Sequence, residues 1–541
     1  MKNKVPKTVY IDGDNLSLEH LVTVIHHPGI SLKISEKAKN RMRKSRKWVD
    51  QVQREGSPVV YGINTGFGSK ANVSISKERL KDLQRNLIMS HSTGVGDPLP
   101  LSIVKAAMLM RANTLAKGYS GVRVELVETI LNMLERGVIP WIPSQGSLGA
   151  SGDLAPLSHL ALVISKGVVR DLEEDSGKAY YYDVKTKSWE LLTGKSAMEK
   201  AGISRLVLEA KEGLALNNGT QISTAILAIA LNEAQQLVKQ ADIAMAMTFE
   251  ALEGISRSFR KEIHELRPQS GQLETAGNIL RLIEGSQFVD RHPEKVQDAY
   301  SLRCHPQVMA GVRSTLEFVE KVVSTEINAT TDNPIIFPDL NEENKAISGG
   351  NFHAQPIAFA ADFLSIVLCE IASISERRIY RLSDKSLNCG LPSFLIENSG
   401  LESGLMLAQY TAAALVSENK SLAHPASIDS IPTCENQEDH VSMAPIAGRK
   451  AAQILENAKK VVALECLFAA QALDLRIRQE KKTSPLSMMG KGTRQAYQLI
   501  RKSVPFIEED RTLYPLIDRV LELVESQVLL KAVEKKIGKL N

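Results

Sequence analysis

The sequence predicts a mainly α-helical protein, a bundle of long helices preceded by a more irregular N-terminal region. Three stretches contain no proline: residues 157–267, 357–391 and 446–484. A proline inside a helix costs about 3 kcal/mol, so these stretches leave room for long helices. The first third of the chain instead has many Gly, Pro, Ser and Asn residues and only short apolar runs. Shorter elements and loops are therefore expected there.

The clearest helical pattern covers residues 221–256. Its apolar and small residues recur at three- and four-residue steps, the period of a helix face; they are Ile222, Ile226, Ile229, Leu237, Ala241, Ala244, Met245 and Thr248. Residues 357–385 and 446–480 show a similar pattern. At about 1.5 Å per residue, each predicted helix is about 40–50 Å long. Three helices of this length imply an extended bundle.

The N-terminal region carries one strand signal. Residues 178–193 combine a run of tyrosines with alternating polar residues, which predicts a small hairpin. No internal repeat, low-complexity tract or Gly/Ser linker divides the chain. We place a loose boundary near residue 204, between an N-terminal region 1–204 and a long-helix bundle 205–541. We expect the two regions not to fold independently.

Composition and charge exclude several classes of protein. The chain is 43% hydrophobic and 24% charged, as in globular proteins, and its net charge is +4. Basic runs occur at 41–47 and 531–539, but aromatic residues do not interleave with them and no nucleic-acid-binding motif surrounds them. We interpret these runs as solvated helix faces and expect no nucleic-acid partner.

Cysteines and chain termini point to a cytoplasmic protein. The five cysteines are widely spaced and form no CxxC motif, so neither a disulfide framework nor a zinc site is indicated. No paired HxxxH or HxxE spacing predicts another metal site. Residues 1–10 are polar and contain no apolar signal-peptide core. No run approaches the ~20 apolar residues that a membrane span needs, so we expect no membrane association.

Ala150-Ser151-Gly152 can generate an electrophile from the backbone itself. The amide nitrogen of Gly152 can attack the carbonyl of Ala150, and loss of water closes a five-membered ring. Loss of a second water from Ser151 leaves an exocyclic methylene. The product, 4-methylideneimidazol-5-one, accepts electrons from a nucleophile. Gly152 suits the attack because it lacks a Cβ. By itself the tripeptide also fits a flexible turn before a helix.

The surrounding segment 146–162 favours the electrophile. Its sequence, GSLGASGDLAPLSHLAL, resembles the cofactor-bearing segment of the aromatic amino acid ammonia-lyases and aminomutases. Further resemblance covers roughly residues 55–165, 205–225 and 290–475. The resemblance implies that the ring forms autocatalytically from Ala150, Ser151 and Gly152, with no external cofactor and no metal. It also implies a homotetramer whose sites take residues from several chains.

Tyr61 begins the glycine-rich loop YGINTGFGS, residues 61–69. Three glycines in nine residues indicate a mobile loop or a close approach of the backbone. On the residues alone, Tyr61 could be a packing residue in a lid or turn. The resemblance implies that Tyr61 lies over the active site as the general base for a poorly acidic β-proton. Its phenolate would need a depressed pKa, which a closed positive site could supply.

The segment 295–307, KVQDAYSLRCHPQ, is similar to the family's arginine segment. The resemblance implies that Arg303 clamps the substrate carboxylate through a bidentate pair, the geometry for which a guanidinium is suited. Tyr300 would hold the reacting atoms or shuttle a proton, and Gln297 would contribute to the same pocket. Without this context, Arg303 would be taken for a surface ion-pair residue.

Two further segments are similar to the family. In EGLALNNGT, residues 212–220, the resemblance places Asn218 against the ring or the substrate. The preceding residue is apolar in the family pattern, and Asn217 at this position needs a polar partner. In SGGNFHAQP, residues 348–356, Phe352 would pack beside the electrophilic ring.

His91 and Glu438 bear on the choice of substrate. Ser90-His91 stands where the family selects the substrate ring, and the run Glu438-Asp439-His440 matches the histidine-specific members. A carboxylate can accept a hydrogen bond from an imidazole N–H, whereas beside a phenyl ring it would be buried and unpaired at a cost of several kcal/mol. The resemblance therefore implies elimination of ammonia from L-histidine to give trans-urocanate.

Three alternatives remain from the sequence. The nearest is a tyrosine or phenylalanine ammonia-lyase, or a 2,3-aminomutase, with the same electrophile, because some tyrosine lyases also carry Ser-His at the position of Ser90-His91. The second is a helical-bundle lyase of the fumarase type, which uses a serine base. The third is a helical scaffold without catalytic activity.

Overall fold

The computed structural model describes residues 6–480 and 485–541, which are mainly helical. The chain forms two compact units. Unit 1 contains Met1–Ile229, Glu320–Ala361 and Pro425–Arg449, and unit 2 contains Ala230–Val319, Asp362–His424 and Lys450–Asn541. The sequence-based boundary near residue 204 divides the chain once, whereas these units alternate along it. The physical reason is that four of the five changes of unit fall inside long, uninterrupted helices.

Unit 1 contains the first eight helices and every strand among the described residues. Its helices are α1 (Leu18–His26), α2 (Glu36–Glu55), α3 (Leu80–His91), α4 (Leu101–Ala116), α5 (Val124–Glu135), α6 (Leu154–Ile164), α7 (Gly194–Lys200) and α8 (Glu212–Asn217). Its strands are β1 (Thr8–Ile11), β2 (Ser31–Ile34), β3 (Val95–Pro98), β4 (Val138–Pro140), β5 (Pro143–Gln145), β6 (Ser165–Lys166), β7 (Lys178–Asp183), β8 (Ser188–Thr193), β9 (Leu206–Val207), β10 (Ile335–Ile336) and β11 (Ala346–Ile347).

The strands form small sheets rather than one layer. β1 and β2 are parallel, as are β6 and β9; β3 pairs with β5 and β10 with β11 in antiparallel register. A three-stranded antiparallel sheet has the order β4-β7-β8, with Tyr181 opposite Glu190. The hairpin predicted for residues 178–193 is β7 and β8, and its prediction is confirmed.

Long helices make up the rest of the chain. They are α9 (Gln221–Ala251), α13 (His305–Ile327), α14 (Gln355–Ser383) and α16 (Ala444–Gln479), with the shorter α10 (Lys261–Glu265), α11 (Ser270–Leu282), α12 (Tyr300–Arg303), α15 (Met406–Leu422), α17 (Lys491–Ser503), α18 (Tyr514–Glu525) and α19 (Val528–Ile537). The helices predicted for 221–256, 357–385 and 446–480 are confirmed as α9, α14 and α16, with ends a few residues away.

Local sequence signals set several helix ends. Ser35 caps α2 by accepting a hydrogen bond from the amide of Ala38, and Gly56 ends the helix with φ of 74°. Serine supplies a side-chain acceptor for an otherwise unpaired amide, and glycine adopts the left-handed conformation without a Cβ clash. The core of unit 1 includes the cluster around Trp48, Val49 and Ile63, which underlies the loop that follows α2.

α14 bears on the expectation about apolar segments. It contains an 18-residue window of mean hydropathy 2.0, so one helix in the described chain is long and apolar enough to cross a membrane. The expectation that no continuous apolar run reaches this length still holds, because Asp362 and Glu370 interrupt the apolar residues of α14. Of that window, 61% is buried inside the structure. Length and composition are weak evidence for a membrane span, because core helices of folded proteins share them.

Unit 2 buries a network of paired charges. Arg378 and Glu465 are fully buried and joined by two hydrogen bonds of 2.5 and 2.7 Å. Asp242, also fully buried, accepts hydrogen bonds from His305 at 2.9 Å and from Arg313 at 2.8 Å. Buried charges are retained when they are paired and hydrogen-bonded, as they are here.

Candidate active site

Unit 1 contains a cavity of about 680 Å³ that collects most of the predicted site residues. Seven of them line it: Tyr61, His91, Ala150, Ser151, Asn218, Phe352 and Glu438. Gly152 lines an adjoining cavity of about 240 Å³, together with His91 and Ala150. Residues far apart in the sequence, from the Tyr61 loop to Glu438, are thus brought together at Ala150-Ser151-Gly152.

The Ala150-Ser151-Gly152 segment lies just before α6 and is held on both sides. The Ser151 hydroxyl donates a hydrogen bond of 2.7 Å to Oε1 of Glu438. The Asn218 side-chain amide donates to the Ser151 carbonyl at 2.8 Å. Gly152 has φ of 74°, and a Cβ there would lie 2.2 Å from the Gly219 carbonyl oxygen. Only glycine fits this position.

Asp153 connects this segment to the start of α9. Its fully buried carboxylate accepts hydrogen bonds from the amides of Ile222 and Ser223 at 2.8 and 2.9 Å, and from the Ser223 hydroxyl at 2.6 Å. These are unpaired donors at a helix N-terminus, where a negative charge is favourable. Burial nevertheless raises the pKa of Asp153 to about 6.

The buried side-chain amide of Asn217 is hydrogen-bonded at its nitrogen but not at its oxygen. It is fully buried, and its Nδ2 donates to the Ser158 hydroxyl at 3.1 Å. Its Oδ1 has no hydrogen-bond partner within the described chain. The expectation that this residue requires a polar partner is confirmed, and the partner belongs to α6.

The Tyr61 loop is held by Asn64. The Asn64 side chain accepts from the Val60 amide at 2.7 Å and donates to the carbonyls of Gly56 and Pro58 at 3.3 and 3.0 Å. The Tyr61 hydroxyl accepts a hydrogen bond of 3.1 Å from the Gly68 amide. The phenol is thereby fixed at the cavity wall.

The pKa of Tyr61 moves in the opposite direction to the expected one. Burial raises it above the ordinary phenol value, and the charges of Glu438 and Cys434 add to the rise, while the Gly68 amide opposes it. The single chain thus does not depress the pKa of Tyr61, and a closed positive site that would lower it stays a prediction. Glu438 and Cys434 both disfavour the phenolate.

His91 and Glu438 provide a neutral imidazole and a carboxylate. Burial lowers the pKa of His91, so its ring is neutral at pH 7. Ser90 Oγ lies 3.0 Å from Nδ1 of His91, which leaves Nε2 for a ligand. Glu438 Oε2 accepts from the Thr433 hydroxyl at 2.8 Å, so each of its oxygens has a donor in the structure.

The loop that carries Glu438 is strained. Thr433 and Glu438 pair as an isolated antiparallel bridge, and the turn between them has positive φ at Cys434, Glu435 and Asn436. Each residue that is not glycine costs about 1–2 kcal/mol in this conformation. The bridge to Thr433 and the hydrogen bond from Ser151 hold Glu438 in place despite this cost, and backbone strain of this kind clusters at functional sites.

Three predicted site residues belong to unit 2 and do not line the described cavity: Gln297, Tyr300 and Arg303. Gln297 is exposed, and Tyr300 is 71% exposed. The Arg303 guanidinium lies 4.6 Å from the centre of the Tyr300 ring, and its Nε donates to the Asp298 carbonyl at 2.9 Å. The remaining guanidinium nitrogens have no hydrogen-bond partner among residues 6–480 and 485–541 and can take a bidentate ligand.

Among the residues that the structure describes, no group of three or more His, Cys, Asp or Glu side chains is placed to hold a metal ion.

Comparison with known proteins gives the family. The family model for aromatic amino acid lyases matches residues 16–502. The chain belongs to the aromatic amino acid lyase family.

Relatives cover almost the whole chain. A histidine ammonia-lyase of Alkaliphilus oremlandii is 50% identical over 532 residues, 98% of this chain and 99% of the relative. A crystal structure of histidine ammonia-lyase from Trypanosoma cruzi has a TM-score of 0.86 at 39% identity, covering 98% of this chain and 96% of that one. A tyrosine aminomutase from Streptomyces globisporus has a TM-score of 0.89 at 33% identity, covering 99% and 100%. The predicted mainly helical fold class is confirmed.

In this aromatic amino acid lyase, sequence reasoning missed two histidines at the cavity. The rings of His353 and His440 are stacked, with centroids 5.7 Å apart and planes 8° from parallel. Nε2 of His353 lies 3.2 Å from the His440 carbonyl oxygen. Each stands within two residues of a predicted site residue, Phe352 or Glu438, so position was the only available signal.

Proposed function

We propose that the chain is a histidine ammonia-lyase that eliminates ammonia from L-histidine to give trans-urocanate. The observation that carries the proposal is the Glu438 carboxylate, hydrogen-bonded at 2.7 Å to Ser151 in the cavity that also contains His91. A carboxylate and a neutral imidazole at the electrophilic segment suit a substrate ring that donates N–H hydrogen bonds. The relative from Alkaliphilus oremlandii, 50% identical, carries the name of this activity.

The residues present fit a 4-methylideneimidazol-5-one formed from Ala150, Ser151 and Gly152. Gly152 has no room for a Cβ, and the Ser151 carbonyl already accepts a hydrogen bond from Asn218. The buried Oδ1 of Asn218 has no partner in the described chain and can accept a hydrogen bond from a ligand. The group supplies an electron sink, which the side chains of the cavity do not provide. Phe352, half-buried at the cavity, can pack beside the group.

The chain's own residues bind and orient the substrate. His91 and Glu438 hold the imidazole ring, and Asn218 fixes the Ser151 carbonyl. Tyr61 removes the β-proton at its phenolic oxygen. Because burial and neighbouring acidic groups raise the pKa of Tyr61, its phenolate needs a positive charge nearby, and the ammonium group of the bound amino acid can supply one.

Arg303, Tyr300 and Gln297 complete the proposed site in a homotetramer. The exposure of Tyr300 and the two free guanidinium nitrogens of Arg303 support a role toward another copy of the chain. Exposed apolar side chains on helices of unit 2 support such contacts; they include Phe318, Phe363, Ile366, Leu407 and Tyr410. Arg303 would then bind the substrate carboxylate.

A cytoplasmic location and the absence of nucleic-acid and membrane partners complete the proposal. The five cysteines are free thiols, as expected in a reducing compartment.

The alternative is a tyrosine or phenylalanine ammonia-lyase, or a 2,3-aminomutase, with the same electrophile. The similarity to a tyrosine aminomutase favours considering it. Glu438 opposes the phenylalanine form of this alternative, because a phenyl ring offers the carboxylate no hydrogen-bond donor.

The test supplies the purified protein with L-histidine, L-tyrosine or L-phenylalanine and identifies the products. We expect urocanate and ammonia from L-histidine alone. Ser151→Ala should abolish turnover and leave the circular dichroism spectrum and melting temperature near those of the wild type. A β-amino acid product, or greater turnover of tyrosine than of histidine, would favour the alternative. Full turnover by Ser151→Ala would refute the electrophile.

A further inference from the structure

Arg111 is a buried cation with no role in the proposed chemistry. It lies in α4, and its side chain is fully buried. Its hydrogen bonds go to a side-chain amide and to backbone carbonyls, and its Nε has no partner within the described residues. Burial lowers the pKa of Arg111 to about 10, so the guanidinium stays charged at neutral pH. A buried charge without a bound carboxylate is costly, which calls for a physical explanation.

The guanidinium holds the turn between α8 and α9. Nη2 donates to the carbonyl of Asn218 at 2.9 Å and also to that of Ala215. Nη1 donates to Oε1 of Gln221 at 2.6 Å. These acceptors precede and follow the Asn218-Gly219 turn, and a cation is favourable near the carbonyls that end a helix.

The opposite side of this turn contacts the electrophilic segment. Asn218 donates to the Ser151 carbonyl at 2.8 Å, and the Gly219 carbonyl accepts from the Asp153 amide at 2.6 Å. Gly152 and Gly219 form an isolated parallel bridge. A Cβ on Gly219 would lie 2.2 Å from Nη1 of Arg111, so the guanidinium packs directly against this glycine. One turn of backbone therefore separates Arg111 from the tripeptide.

We propose that Arg111 is a positioning residue for closure of the ring. It fixes the Asn218-Gly219 turn, and the turn fixes the Ser151 carbonyl and the Gly152 backbone for attack on Ala150. The inference rests on the proposed function, because it concerns how the electrophile of that function is made.

The reaction needs no further reagent. The bond between the Gly152 nitrogen and the Ala150 carbonyl carbon forms as the Gly152 amide proton passes to the Ala150 oxygen. That oxygen leaves as water with the Ser151 amide proton, which produces a C=N bond. The second water takes the Ser151 hydroxyl and the proton of its Cα. Arg111 exchanges no atoms; it restricts the geometry in which the first bond forms.

Arg111→Met and Arg111→Lys test the proposal, with Leu109→Ala as the matched control. Leu109 is also fully buried on α4, and two residues away it lies on another face of the helix. The readouts are the mass of the intact soluble protein and of its 150–152 peptide, with the melting temperature measured in parallel. A displacement of about 1 Å can slow a positioned reaction by about 10²-fold. Most folded Arg111→Met chains should therefore retain the unmodified mass.

Arg111→Lys keeps the charge but not the fork of donors, so its share of dehydrated chains should lie between those of Arg111→Met and the wild type. If Arg111→Met is insoluble, the share of dehydrated chains in Arg111→Lys tests the proposal by itself. Leu109→Ala should melt earlier than the wild type and still be fully dehydrated. Full dehydration of folded Arg111 variants, or equal loss of dehydration in Leu109→Ala, would overturn the role of Arg111. An unmodified wild type would instead overturn the proposed function itself.

Discussion

Glu438 has two effects at the residue scale that act in opposite directions on catalysis. It accepts a hydrogen bond from Ser151, and in the proposed function it binds the imidazole ring of the substrate. Its charge also raises the pKa of Tyr61, which opposes formation of the base. The substrate ammonium can offset this second effect only when it is bound. Tyr61 would therefore form its phenolate mainly when the substrate is bound.

Glu438→Gln separates these effects. The substitution removes one negative charge beside Tyr61, so the pKa of the phenol should fall and the phenolate should appear at lower pH. An ultraviolet difference titration measures this, with the same titration of Tyr61→Phe subtracted to isolate the Tyr61 signal. An unchanged or raised pKa would contradict the assigned electrostatics.

The same variant should lose activity toward L-histidine. A hydrogen bond to a charged group contributes about 1.5–3 kcal/mol, so kcat/KM should fall roughly tenfold to hundredfold. The assay is urocanate formation at several pH values. Equal kcat/KM for Glu438→Gln and the wild type would show that the carboxylate does not bind the substrate ring.

At the scale of elements, the Tyr61 loop depends on one buried asparagine. Asn64 connects three backbone groups of the loop that carries Tyr61. Asn64→Ala leaves these groups unpaired and should lower the free energy of unfolding by about 1–3 kcal/mol. Urea denaturation measures the loss, and turnover should fall with it because Tyr61 is no longer held.

Asn72→Ala is the matched control, because Asn72 lies in the same loop region but is exposed. It should change neither stability nor turnover measurably. Wild-type stability in Asn64→Ala would mean that the asparagine does not hold the loop.

The sequence predicts the individual helices and strands of this chain better than their grouping into compact units. Helical periodicity places α9, α14 and α16, and alternation places β7 and β8, because both patterns are local. These local patterns do not show that the chain passes several times between the two units, because that arrangement depends on contacts between residues far apart in the sequence. Several residues that line the cavity could be predicted from sequence motifs, because Ser151 and Glu438 lie in segments that resemble those of the family. Arg111 lies in no recognisable motif, and its proposed role depends on a hydrogen bond to the Asn218 carbonyl, far away in the sequence.

At the scale of the whole molecule, the single chain has exposed apolar side chains on helices of unit 2. Leu407 and Tyr410 are 53% and 56% exposed and lie three residues apart on α15, on the same face. Contiguous exposed apolar residues mark contact surfaces. They support the proposed tetramer, in which Arg303 and Tyr300 would serve a neighbouring chain.

The double variant Leu407→Glu/Tyr410→Glu tests the assembly. Charged side chains cannot be buried unpaired in an interface, so the variant should have a lower mass by light scattering and little urocanate formation. Val169→Glu, at a residue 91% exposed in unit 1, should remain tetrameric and active. A monomeric variant with wild-type turnover would contradict sites shared between chains.

The most direct test of the central claim is the mass of the peptide that contains Ala150, Ser151 and Gly152, taken from purified wild-type protein. The account predicts that this peptide lacks two water molecules relative to its sequence, with the loss located at these three residues by fragmentation. A peptide with the full mass, in protein that leaves L-histidine unchanged, would contradict it.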